Sequence, residues 1–307
     1  MTELKPALSY DQQIEHLKQA HNLLIADYTN ARDILQKVSY YRLSAYGIGL
    51  TKENDREQYN DGITLEHIYR LYQFDSIFRN KLIHVIEQIE IQLRTQIAYL
   101  LALKYGPEGY MVSDFFIDKR KRSGVQIHSV VIDSFKKECS HQKNAPLVKH
   151  HMIKYGGHFP IWAAIELFTF GNLSSLYNIM KKEDCNSIAR LYDTQPKHLG
   201  SWILALVEIR NICAHYSRLY NMPLKQRPFL YSENVKYRSN KINKIFPALI
   251  TIKRMLKDDE RWMAFETQLE ALMDDYKDVV NLSFMGFPED WKNILSVSKK
   301  WCNTVNK

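Results

Sequence analysis

Residues 64–105 read TLEHIYRLYQFDSIFRNKLIHVIEQIEIQLRTQIAYLLALKY. Within them Leu71, Phe74, Phe78, Leu82, Val85, Ile89, Leu93, Ile97 and Leu100 recur every 3.6 residues, the spacing that puts apolar side chains on one face of an α-helix. Gly62-Ile63-Thr64 supplies a start and Gly106-Pro107 a stop. The pattern predicts one helix of about 40 residues, roughly 60 Å long at 1.5 Å per residue, as the spine of the fold. Glu87, Glu90 and Arg94 fall at i, i+3 and i+7 on it, which predicts an ion pair.

Short helices are expected on either side of the spine. Upstream, Asp11 is a candidate cap for a helix through Ile14, Leu17 and His21, and a second runs from Tyr28 through Ile34, Leu35 and Val38. Downstream, residues 108–158 look less regular, basic and rich in His. Helices follow over Ile161 to Phe170 and, past Gly171, to about Lys182. Gly200-Ser201 is read as the start of the next helix, and the last ones lie near 241–256, 259–281 and Trp291 to Leu295. With Gly at 11 and Pro at 9 among 307 residues, turns are too few for an all-β sandwich. The expected class is all-α. Three stretches organise it: an N-terminal helical region (1–60), a helical core with a basic insertion near 108–158 (61–222) and a C-terminal helical region (223–307).

The formal charge of +8 favours a polyanionic partner. It is concentrated in two stretches. Lys119 to His158 holds nine Lys/Arg against Asp133 and Glu138, and Lys225 to Arg254 holds eight against Glu233. Asp258 to Asp278 reverses the sign, with eight acids. Cys139, Cys185, Cys213 and Cys302 are too scattered for a zinc site or disulfide framework, and His128, His141, His150, His151 and His158 match no ligand spacing. No metal or cofactor is therefore expected. No apolar run approaches a membrane span, so the chain is expected to be cytoplasmic with no membrane partner.

The chemistry is concentrated between the two basic stretches, in Glu208-Ile209-Arg210-Asn211-Ile212-Cys213-Ala214-His215-Tyr216. On a helix, Trp202, Leu206, Ile209 and Cys213 form a core stripe. Glu208, Asn211 and His215 form a separate polar stripe, with Arg210 beside it. An imidazole moves protons near neutral pH, and a guanidinium grips a phosphate in a bidentate fork. Together they suit RNA, whose 2′-hydroxyl attacks the neighbouring phosphate once a base takes its proton. One His fills one proton-transfer role, so a complete site calls for two copies across a symmetric dimer. The plain alternative is a satisfied core histidine and an ion pair from Arg210 to Glu208 or Glu166. Glu166 is the only charge in Pro160 to Gly171, and Arg210 or Arg94 is its expected partner.

Arg210, Asn211 and His215, with four residues between Arg and His, resemble the HEPN nuclease motif. The resemblance extends further. Ser39-Tyr40-Tyr41-Arg42-Leu43-Ser44-Ala45-Tyr46 resembles the signature of the Abi (abortive infection, AbiD/AbiF-like) family. So do Phe74-Asp75, Ile89-Glu90 with Arg94, Pro160-Ile161-Trp162 with Glu166, Ser201-Trp202, Arg210 to Asn221, and Met285 to Trp291. The resemblance implies a HEPN-type helical bundle and a metal-independent endoribonuclease of phage defence or a toxin–antitoxin-like system. Arg210, Asn211 and His215 would be catalytic. Glu166, Glu208, Arg218, Tyr216, Arg94 and Arg42 would shape the site or hold RNA. It also implies a homodimer and, in some relatives, a small noncoding antitoxin RNA. A non-catalytic RNA-binding module and a protein-interaction scaffold are the rival expectations.

Overall fold

The computed structural model describes residues 6–237 and 243–297. Among these residues the protein is all-α apart from one hairpin. Helices α1 (Tyr10–His21), α2 (Tyr28–Lys37) and α3 (Tyr40–Ser44) lead to strands β1 (Thr51–Lys52) and β2 (Asp55–Tyr59). The spine α4 (Leu65–Tyr105) follows, then α5 (Ile127–His141), α6 (Pro146–Lys154), α7 (Ile161–Ala164), α8 (Phe170–Ile179), α9 (Lys182–Arg190) and α10 (Pro196–Ala214). Helices α11 (Phe246–Leu256), α12 (Asp259–Asp275) and α13 (Trp291–Leu295) end the fold.

The spine forms as its period predicts. The Thr64 hydroxyl accepts from the His67 amide at 3.0 Å, and Gly106 closes the other end at φ +79°, open to glycine at little strain. Phe74, Phe78, Leu82, Ile89, Leu93 and Ile97 are fully buried. They belong to one apolar cluster that runs from Ile14 to Leu295, so all three stretches of the chain share a core. Helix α10 lies against α4, α8, α9 and α11, while α7, α11 and α12 take other flanks of α4. Cations of α4 reach α12 and the segment just past it. Arg70 grips Asp278 at 2.5 and 2.9 Å, and Lys81 Nζ reaches Gln268 at 3.1 Å.

Several local expectations are corrected. Ser9, not Asp11, caps α1, through a reciprocal bond with Gln12. The 108–158 insertion carries two helices, α5 and α6. The stretch from Ile161 breaks after Ala164 into a 3₁₀ turn, and Thr169 then caps α8, so Gly171 lies inside a helix. Helix α10 starts at Pro196, which needs no amide partner in the first turn. Gly200 and Ser201 are therefore interior, and the Ser201 hydroxyl instead accepts from the Phe229 amide at 2.9 Å. Strands β1 and β2 were not foreseen, because Asp55–Tyr59 is polar and exposed along most of its length. Cys302 and part of the 241–256 helix expectation lie outside the described residues. No helix among the described residues is long and apolar enough to cross a membrane.

Candidate functional site

Helix α10 is fixed by its apolar side. Trp202, Leu206, Ile209 and Cys213 are buried, as their spacing predicts, and Trp202 Nε1 donates to the Phe229 carbonyl at 2.6 Å. Burial pushes the Cys213 thiol up to about 12, so it is a small apolar filler rather than a nucleophile.

The last turn places the polar residues. His215 is the C-cap, one residue past the last helical residue, Ala214. Its amide donates to the Asn211 carbonyl at 3.0 Å, Tyr216 N–H to Cys213 at 3.3 Å and Ser217 N–H to Ile212 at 3.0 Å. The last two bonds make a Schellman closure, whose left-handed position usually holds glycine. Here Tyr216 occupies it at φ +54°, which costs roughly 1 kcal/mol. Arg42 Nη1 donates to the Tyr216 carbonyl at 2.6 Å, tying α3 to the turn.

Asn211 and His215 are exposed, and no hydrogen bond among the described residues engages either side chain. His215 is thus not a core histidine. Arg210 leans to the other side, with its Nε 3.6 Å from Glu90 Oε2 on α4, and about a third of its side chain (36%) stays exposed. Glu90 also accepts from Arg94, whose other Nη donates to the Ile165 carbonyl. Both Glu90 and Arg94 are buried. The triad carries two guanidinium groups against one carboxylate. It therefore retains one positive charge, and Arg210 is its exposed end.

The remaining site candidates divide. Arg94 joins the triad. Glu166 does not: it is exposed on the 3₁₀ turn, and Glu90 is the partner of both arginines expected to neutralise it. Water solvates an exposed carboxylate, so no buried charge needs compensation there. Glu208 accepts the backbone amides of Lys225 at 2.9 Å and Gln226 at 2.7 Å, and so anchors the start of the second basic stretch beside α10. Arg218 turns inward and donates to the carbonyls of Tyr220 at 2.7 Å and Asn221 at 3.2 Å. Tyr41 and Tyr216 are largely exposed, whereas Tyr40 is half-buried, 3.2 Å from the Tyr59 hydroxyl.

One residue behind the site had no assigned role in the sequence. Asp75, fully buried on α4, accepts from Tyr46 Oη at 2.7 Å, Arg79 Nε at 3.0 Å and the amides of Leu219 at 3.1 Å and Tyr220 at 2.6 Å. It thereby clamps the chain leaving His215 to the spine and to the segment after α3. The available signal was an acid and an arginine four apart within an otherwise apolar face, at Asp75 and Arg79. Among the described residues no group of three His, Cys, Asp or Glu side chains is arranged to hold a metal ion.

The sequence profile of the Abi-like protein family matches residues 33–221. Searches among curated proteins and among solved structures give no match. The matched span includes α3, the spine with Asp75 and Glu90, and all of α10 through its closing turn. As that span is more than half of the chain, the protein belongs to the Abi-like protein family.

Proposed function

We propose that the protein is a metal-independent endoribonuclease whose HEPN-like site is formed by Arg210, Asn211 and His215 of two copies. The Abi-like family points to abortive infection, a form of phage defence. The observation that carries the nuclease reading is the division of labour at the end of α10. Arg210 is held in place by Glu90, while Asn211, the next residue, and His215, a little over one turn on, stand free in solvent.

In this reading Arg210 binds the scissile phosphate and stabilises the charge that builds on it. One His215 takes the proton of the 2′-hydroxyl as its oxygen attacks phosphorus. The second copy's imidazole protonates the departing 5′-oxygen, leaving a 2′,3′-cyclic phosphate and a 5′-hydroxyl. Asn211 orients the phosphate or the ring. The two-copy requirement is supported by α4, which leaves Ile91 (50%), Tyr99 (68%) and Leu103 (71%) exposed at four- and eight-residue spacing on the helix that carries Glu90. Burying such a stripe against its symmetry mate is a physical motive for a dimer.

The test is incubation of purified protein with cellular RNA, in parallel with Arg210→Ala and His215→Ala. Cleavage by the wild type alone, unaffected by EDTA and producing cyclic phosphate ends, is the expected result. RNA binding by all three proteins without cleavage would establish the non-catalytic alternative, and an active monomer would remove the paired site.

A further inference from the structure

The His-rich end of the basic insertion plays no part in the reaction above, yet it builds a cavity of about 530 Å³. Its walls are mostly rings: His150, Tyr155, His158 and Trp162, with Pro107 and Pro160. Trp162 is 57% exposed on α7, an unusual position for the largest apolar side chain. The back wall is rigid. His151 is buried, stacks on Phe159 with centroids 4.8 Å apart and is held through Nδ1 by the Leu147 carbonyl at 2.9 Å. At the rim, His158 Nδ1 lies 3.0 Å from Glu108 Oε1, giving a paired donor and acceptor at the edge of the rings.

Charge favours an anionic polymer here. Helix α6 presents exposed Lys149 and Lys154 and no acid, and Lys154 Nζ sits 5.2 Å from the Tyr155 ring centre. Glu108, the acid that lines the cavity, is paired with His158. A proline-rich peptide would also use aromatic rings, but it would gain nothing from the flanking lysines. Flat faces with polar edges beside lysines are instead what a stacked base and its phosphate require. The pocket is connected to the triad along the chain: Trp162 is three residues, about one turn, from Ile165, whose carbonyl holds Arg94.

We propose that this ring-lined pocket receives an unstacked nucleobase of single-stranded RNA and positions that strand for Arg210. The identity of the polymer rests on the nuclease reading above. The test uses the full chain carrying His215→Ala, so that binding is read without cleavage. A short single-stranded oligoribonucleotide is titrated by fluorescence anisotropy, with Trp162→Ala, Trp162→Phe and Tyr155→Ala added in turn.

Loss of one base–aromatic stack predicts weakening of about 5- to 150-fold for Trp162→Ala, with Trp162→Phe retaining most of the affinity. An abasic nucleotide at the bound position should weaken the parent equally and add nothing to Trp162→Ala. Trp162 is exposed, so its variants should unfold with the parent; Tyr155→Ala provides the reading if one does not. Unchanged affinity in both alanine variants, or equal weakening toward duplex RNA, would overturn the pocket. The two readings fail separately. Wild-type cleavage with unchanged binding in Trp162→Ala removes only the pocket, whereas lost binding without any wild-type cleavage removes only the nuclease.

Discussion

Helix α4 carries two acid–arginine pairs of the same i, i+4 spacing, and they have opposite fates. Asp75–Arg79, near the start, is closed: the carboxylate is fully buried and its partners include two backbone amides of the segment leaving α10. Glu90–Arg94, four turns on, is open: its carboxylate reaches a second arginine, Arg210, whose exposed end faces solvent beside Asn211 and His215. The first pair has its charge consumed inside the protein and works as a clamp. The second carries surplus positive charge to the surface and is suited to a phosphate. Spacing alone does not separate a structural pair from a site; the third partner does.

The largest expected effect falls on the open pair. His215→Ala and Arg210→Ala should each lower RNA cleavage by about 10²–10⁴-fold while thermal midpoints hold, since both side chains reach solvent. A large drop in the midpoint for His215→Ala would make its role structural and erase the contrast. The closed pair should invert that pattern. Asp75→Ala strands Arg79 and two amides in the core and should lose about 3–5 kcal/mol in urea unfolding.

Glu90→Gln tests the link between the open pair and its third partner, Arg210. It keeps the shape and leaves two guanidinium groups without their counter-charge. Stability should fall by about 1–3 kcal/mol and the apparent Michaelis constant should shift, because Arg210 loses its positioning partner. Unaltered kinetics would show that Arg210 needs no support from α4. The smallest effect concerns the turn between the two regions. Tyr216→Gly removes left-handed strain of roughly 1 kcal/mol against the entropy of a new glycine, so the midpoint should hold or rise slightly. A clear fall would mean that the Tyr216 ring itself stabilises the turn. Cys213, between the same regions, should resist alkylation in the native protein and label only on unfolding, as mass spectrometry of labelled peptides would read.

Much of this is legible in the sequence itself. The period of residues 64–105 predicts the spine, and α4 ends where Gly106 dictates. The core stripe of α10 is likewise buried as its spacing requires. Local breaks were harder to read. The apolar run from Ile161 contains no breaker before Gly171, yet the helix stops after Ala164 because Arg94 captures the Ile165 carbonyl there. Helices α5 and α6 were hidden by a polar, basic composition whose few apolar residues still suffice to pack Val131, Phe135 and Val148 inside.

The sequence by itself determined the all-α class, the long central helix and the co-location of an arginine, an amide and an imidazole within six residues. Those properties depend on neighbours along the chain, which helical geometry converts directly into faces. Tertiary structure alone decided the partners: Glu90 rather than Glu166 for Arg210, backbone amides rather than Arg210 for Glu208, and inward carbonyls for Arg218. A charge is satisfied by whatever packing brings within a few ångströms, whether that group is far along the chain, as Glu90 is from Arg210, or close by, as the Tyr220 carbonyl is to Arg218.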